Sequence, residues 1–266
     1  MNTKILVAIL VAGSFLRGYL VVTAAGTNND AYKYIRTAEM MSQKGLMAGM
    51  KGDYFWPYYP VNRQLPMYPF LGSLLNVAVG NMMLSLRLIS AIAGIALIWL
   101  TYAIARELFE RDDIALLSAA LVAFHPEFTR ASAAVYREVL MAALIAFSLL
   151  LVLWAIKKPH ARVLCPALAG LSLFAAFMTR PEGVAAALAG GLTVLLLRKN
   201  LAWKKRIVIC GIMTLFFFAL EVPYIWWLKR ETGRWMVTQW QVQNKMTRHE
   251  AATRFLLNER EDDGIH

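Results

Sequence analysis

At 266 residues, 59% apolar and 17% charged, with a mean hydropathy of +0.49, the chain departs from soluble domains, which are nearer half apolar and a quarter charged. Its net charge of +11 falls in short clusters between apolar runs, with no stripe of five or six like charges, which argues against a nucleic-acid partner. Cys165 and Cys210 both lie inside apolar runs and read as buried thiols rather than as a disulfide or metal framework.

A membrane-spanning helix takes about 20 mostly apolar residues. In chain order the candidates are Ile5–Thr23, Met83–Phe109, Ile114–Phe124, Val139–Ile156, Val163–Met178, Val184–Leu197 and Ile207–Leu228. The fold expected is therefore all-α, a polytopic transmembrane bundle of about seven spans. The third, fifth and sixth are short, as helices are that continue into loops or end at a water-filled cavity. Because further spans follow it, the first helix reads as an uncleaved anchor rather than a signal peptide. The transmembrane module covers 1–228, and a polar tail follows over 229–266.

Positive charge sets the orientation. With a cytoplasmic N-terminus, the inside segments hold Lys4, Arg106, Arg111, Lys157, Lys158, Arg162, Arg198, Lys199, Lys204, Lys205 and Arg206, whereas the two short outside loops hold Arg130, Arg137 and Arg180. This is the positive-inside pattern, and it makes the chain a multi-pass plasma (inner) membrane protein with an extracytoplasmic tail. The first outside loop, 25–82, is too long for a passive connector. It carries a helical stretch from Asn29 to Met41, capped by Asn29 or Asp30. An aromatic, proline-rich segment follows from Lys51 to Gly72, then a second, partly embedded helix over Tyr68–Val79. Tyrosine and tryptophan favour the membrane interface, so these helices are expected to lie there.

Carboxylates and arginines recur together at the outside ends: Asp30, Glu127, Glu138, Glu182 and Glu221, with Arg130, Arg137, Arg180 and Arg230 nearby in sequence. Ionisable groups at the membrane edge are costly and tend to mark functional pathways, although each alone is also compatible with an interfacial residue meeting water and headgroups. Arg17 and Arg87 lie within apolar runs near their outer ends, where a long side chain snorkels or meets a lipid phosphate.

Several stretches, in this order, resemble the GT-C superfamily of membrane glycosyltransferases, near its protein O-mannosyltransferase and lipid A aminoarabinose transferase branch. They are NNDAYKYIRTAEMM, LPMYPFLGSLL with the following SLRLISAIAGIALIWLTYAIARELF, HPEFTRASAAVYREVLMAALIAF, LAGLSLFAAFMTRPEG and, after the seventh helix, WLKRETGRW. The resemblance implies inverting transfer of a sugar from a polyprenyl-phosphate carrier to an extracytoplasmic acceptor. It makes Asp30 the general base and Glu138 a second acidic residue that orients the acceptor or binds a divalent metal ion. It makes Arg180 and Arg137 contacts of the donor phosphate, and Arg87, from its place near the outer end of the second helix, is a further candidate for that contact. Tyr32, Tyr59, Tyr68 and Glu182 are expected to line the substrate cavity. The segment Asn28-Asn29-Asp30 offers one carboxylate where many relatives pair two, and Glu138 stands where aspartate is commoner. Relatives usually run to about twice this length, so the chain reads as an N-terminal half. An inactive or partner-dependent half is one alternative, and a membrane transporter or lipid-binding protein is another. Neither the sugar nor the acceptor is legible.

Overall fold

The computed structural model describes residues 3–23, 30–51, 61–62, 64–158, 161–196, 202–239, 241 and 253. Its helices are α1 (Thr3–Thr23), α2 (Ala31–Lys44), α3 (Leu46–Met50), α4 (Met67–Val79), α5 (Met82–Phe109), α6 (Asp112–Phe124), α7 (Pro126–Ala133), α8 (Arg137–Lys157), α9 (Leu164–Phe177), α10 (Gly183–Leu196) and α11 (Trp203–Thr232). Among the described residues there is no strand, and one isolated antiparallel bridge joins Lys51 to Val61. The molecule is an all-α membrane bundle. Each of the seven apolar runs forms a helix, and four of them, α1, α5, α8 and α11, are long and apolar enough to cross a membrane.

Side-chain pairs fix how the helices run. Ser172 Oγ donates to the Leu144 carbonyl at 2.8 Å, and Arg137 Nη1 reaches the Thr179 carbonyl at 3.5 Å. The descending partner numbers make α8 and α9 antiparallel. On α11, Phe217 packs against both Phe174 and Phe177 of α9. A Cβ on Gly170 would stand 2.2 Å from the Met213 carbonyl oxygen, so glycine lets α9 and α11 touch backbone to backbone. The numbers ascend together there, and the two helices run parallel. One end of the bundle thus collects α2, α4, α7, the start of α8 and the ends of α9 and α11. The opposite end holds the Arg106–Asp112 pair at 2.6 Å and the Lys157–Glu107 pair at 3.2 Å.

Two helices differ from the sequence-based expectation. Asp30 is the N-cap residue of α2, but its backbone is helical and its side chain makes no capping bond. The carboxylate turns instead to Lys33 Nζ at 2.9 Å. Helix α7 stands where the sequence pattern suggests an outside loop; His125 caps it through Nδ1, and Pro126 follows at its first position, where the missing N–H costs nothing.

The intramembrane arginines are also placed differently from expectation. Arg17 is 0% exposed, so it neither snorkels nor meets lipid. Its guanidinium donates to the carbonyls of Ala123 at 3.0 Å, Val122 at 3.1 Å and Gly13 at 3.1 Å. The last carbonyls of a helix have no intrahelical partner and carry its negative dipole end, and Arg17 supplies both the donors and the charge for α6. Arg87 repeats the device on α1: 6% exposed, it donates to the Val21 carbonyl at 3.1 Å.

Candidate functional site

The α9–α10 turn and the first turn of α8 meet at the collecting end. Arg180, in that turn, presents a fork to Glu182, Nε to Oε2 at 3.1 Å and Nη2 to Oε1 at 2.8 Å. Its remaining Nη1 binds Glu138 Oε1. Arg137 approaches the same Glu138 oxygen from its own side, Nε at 3.9 Å, while its Nη1 is tied to Thr179. Two guanidiniums and two carboxylates therefore form one partly exposed network. Arg180 holds the Glu182 carboxyl below the usual glutamate range, against a smaller opposing effect of burial. The Arg180 guanidinium is in turn favoured in its charged form, chiefly by the Glu182 bond.

Helix α2 brings aromatic and acidic groups to this network. Tyr34 lies under Arg137, whose Cζ is 5.3 Å from the ring centroid, a cation–π geometry. Burial pushes the Tyr34 phenol up to about 12; Arg137 pulls it down, and Glu138 and Asp30 add to the rise. Tyr34 thus lies within electrostatic range of the network and of Asp30, one helical turn before it on the same face. Below it, Tyr68 meets Tyr34 edge to face at 5.6 Å. The Tyr68 hydroxyl is shared among the Leu86 carbonyl, Ser90 Oγ and the Tyr136 amide, which ties α4, α5 and the start of α8 together. Beside Glu138 a groove of about 440 Å³ opens between α7 and α8, walled by Phe128, Ala131, Ala134, Tyr136 and Val139.

The sequence-derived candidates separate accordingly. Glu138, Arg137, Arg180 and Glu182 come together. Asp30 stands at their edge, its side chain 61% exposed. Tyr32 is exposed on α2. Tyr68 is wholly buried, so it supports the site from beneath rather than lining a cavity. Arg87, on α5, is turned to the Val21 carbonyl of α1. Tyr59 lies outside the described residues. Tyr34 was missed as a site residue, though its spacing of four from Asp30 on a helix was a usable signal. Among the described residues, no three of His, Cys, Asp and Glu gather as a metal site. Asp30 and Glu138 are each engaged by a cation, Lys33 and Arg180 respectively.

The sequence profile of the dolichyl-phosphate-mannose-protein mannosyltransferase family matches residues 61–227. No curated protein shows significant sequence similarity. The oligosaccharyltransferase of Archaeoglobus fulgidus in its apo form shares the fold at a TM-score of 0.69 and 18% identity, over 97% of this chain and 34% of that one. The same enzyme in complex with zinc and sulfate aligns at 0.67 and 18%, over 96% and 36%. The archaeal oligosaccharyltransferase AglB from A. fulgidus, in complex with an inhibitory peptide and a dolichol-phosphate, aligns at 0.56 and 16%, over 98% and 37%. The chain thus spans about a third of the length of these enzymes.

Proposed function

Because the chain belongs to the dolichyl-phosphate-mannose-protein mannosyltransferase family of GT-C glycosyltransferases, we propose that it transfers a sugar from a polyprenyl-phosphate carrier with inversion. The observation that carries this reading is the Arg180 fork, held rigid between Glu182 and Glu138 and joined by Arg137. A guanidinium that fits a carboxylate with two parallel bonds fits a phosphate equally. In the reaction, the carrier phosphate replaces a carboxylate on the fork, and the displaced glutamate turns to the acceptor side. The acceptor hydroxyl then attacks the anomeric carbon and gives its proton to Asp30. The anomeric C–O bond breaks with its electrons passing to the phosphate oxygen, which needs no acid to depart. Arg180 and Arg137 stabilise the charge that develops there. The groove beside Glu138 is suited to the isoprenoid chain.

The orientation proposed puts the N-terminus in the cytoplasm and the site end outside the plasma (inner) membrane. The test uses purified protein with radiolabelled polyprenyl-phosphate sugar and a membrane extract as acceptor. Asp30→Asn is expected to abolish transfer at unchanged expression and unchanged lipid binding. Transfer that survives this substitution rejects Asp30 as the base, and wild-type protein that moves lipid without making product favours a lipid transporter. The neighbouring structures' greater length makes complementation by a second polypeptide the next variable to add.

A further inference from the structure

Glu221 takes no part in the network above, yet among the described residues it is the carboxylate most withdrawn from water. It is 1% exposed, and neither oxygen has a hydrogen-bond partner. Uncompensated buried acceptors are uncommon in folded proteins and call for an explanation, an absent ligand among them. Its neighbours carry the same signature. Gln239, fully buried, donates its amide nitrogen to the Met50 carbonyl at 2.7 Å and its backbone N–H to the Tyr224 hydroxyl at 3.2 Å. Its Oε1 accepts nothing. Tyr224, one turn from Glu221, stacks on Trp227 at 6.0 Å and 25°, and the Trp227 Nε1 donor is buried without an acceptor. The unused groups around Tyr224 are therefore the Glu221 carboxyl, the Gln239 amide oxygen and one indole donor, set beside a stacked aromatic pair.

Position supplies the ligand class. Phe217, one turn before Glu221, packs on the last turn of α9, and α11 runs parallel to α9. Glu221 is consequently level with residues 178–182, the turn that carries Arg180. On its other flank the first loop closes the site through Met50 and through the Met67 amide, which donates to the Met178 carbonyl at 3.1 Å. We infer that Glu221, Gln239, Tyr224 and Trp227 form a subsite for the hydroxyls of the sugar whose carrier phosphate binds Arg180. A sugar ring presents several O–H donors, oxygens that accept, and an apolar face suited to an aromatic one, which together match the unused set. This inference rests on the donor reading of Arg180.

The experiment measures binding of bare dolichyl phosphate and of its mannosyl, glucosyl and N-acetylglucosaminyl phosphodiesters to the full chain in nanodiscs. Glu221→Leu is close in size and removes the unpaired buried carboxyl, so the variant is expected to fold; Glu221→Gln serves as a second, polar replacement. The expected result is bare carrier bound within twofold of wild type, and at least one sugar-loaded lipid weakened tenfold or more. Sugar-loaded lipids bound by both variants as by wild type overturn the subsite. Failure of wild type to bind any of the four lipids instead rejects the donor reading, and the subsite falls with it. Arg180→Ala separates the two, since it is expected to weaken bare and loaded carriers alike.

Discussion

Arg180 and Tyr34 show how single side chains divide the work at the bundle end. The fork requires a planar, five-donor cation, which an ammonium cannot imitate. Arg180→Lys is therefore expected to lower turnover by tenfold or more, read as kcat/KM for the lipid-linked sugar. Glu182 gives a pH prediction with a definite sign. Its folded pKa is depressed, so its contribution to stability is complete above the ordinary glutamate value of about 4.3 and fades as pH falls through the lower folded value. Melting curves from pH 3 to 7 should show wild type and Glu182→Gln running in parallel at neutral pH and converging only in the acid range. Tyr34, with its phenol pushed up to about 12, stays protonated at physiological pH and is a ring support rather than a base. Tyr34→Phe keeps the ring beneath Arg137 and is expected to leave the melting temperature nearly unchanged. Tyr34→Ala opens a cavity at a buried aromatic and costs about 3–5 kcal/mol.

Helix contacts pose a different question, because favourable and unfavourable effects of one substitution act on different steps. Arg17→Leu relieves about 2.5–3.5 kcal/mol of insertion cost if the residue is placed mid-bilayer, and less near an end. In the folded bundle it strips the α6 carbonyls of their donors, at about 1–3 kcal/mol for such bonds. The expected outcome is normal insertion of α1 with a lower melting temperature in detergent. Gly170→Ala drives a methyl into the Met213 backbone, for which overpacking costs of about 1–3 kcal/mol are the guide, and its melting curve should report the parting of α9 from α11. These elements also mark what the sequence could reveal. Apolar runs are local, so each of the seven helices was visible. So were α2 and α4, through their spacing and flanks. Helix α7 was overlooked although His125-Pro126-Glu127 is a helix start. Glu138 and Arg180 were both picked out, yet their pairing across 42 positions depends on α8 running against α9. The partners of Arg17 were beyond reach for the same reason, since nothing local names a carbonyl 106 residues away.

At the scale of the whole molecule, charge asymmetry between the two bundle ends leads to a labelling prediction. Cys165 and Cys210 are free thiols and are first replaced by alanine. Glu127→Cys at the site end is then expected to react with a membrane-impermeant maleimide in intact cells, and Asp113→Cys at the opposite end only after permeabilisation. The reverse pattern overturns the proposed orientation. The grip of Arg17 on α6 bears also on how the protein is made. The first helix leaves the ribosome long before the carbonyls of Val122 and Ala123 exist, so its guanidinium must wait in the translocation machinery or at the lipid headgroups. Sealing of the bundle is thereby tied to completion of the sixth helix, and a nascent chain stalled before residue 124 presents an unquenched cation to membrane quality control. Pulse–chase of such stalled chains should find them degraded faster than chains stalled after α10, when α6 has left the ribosome, and Arg17→Leu should erase the difference.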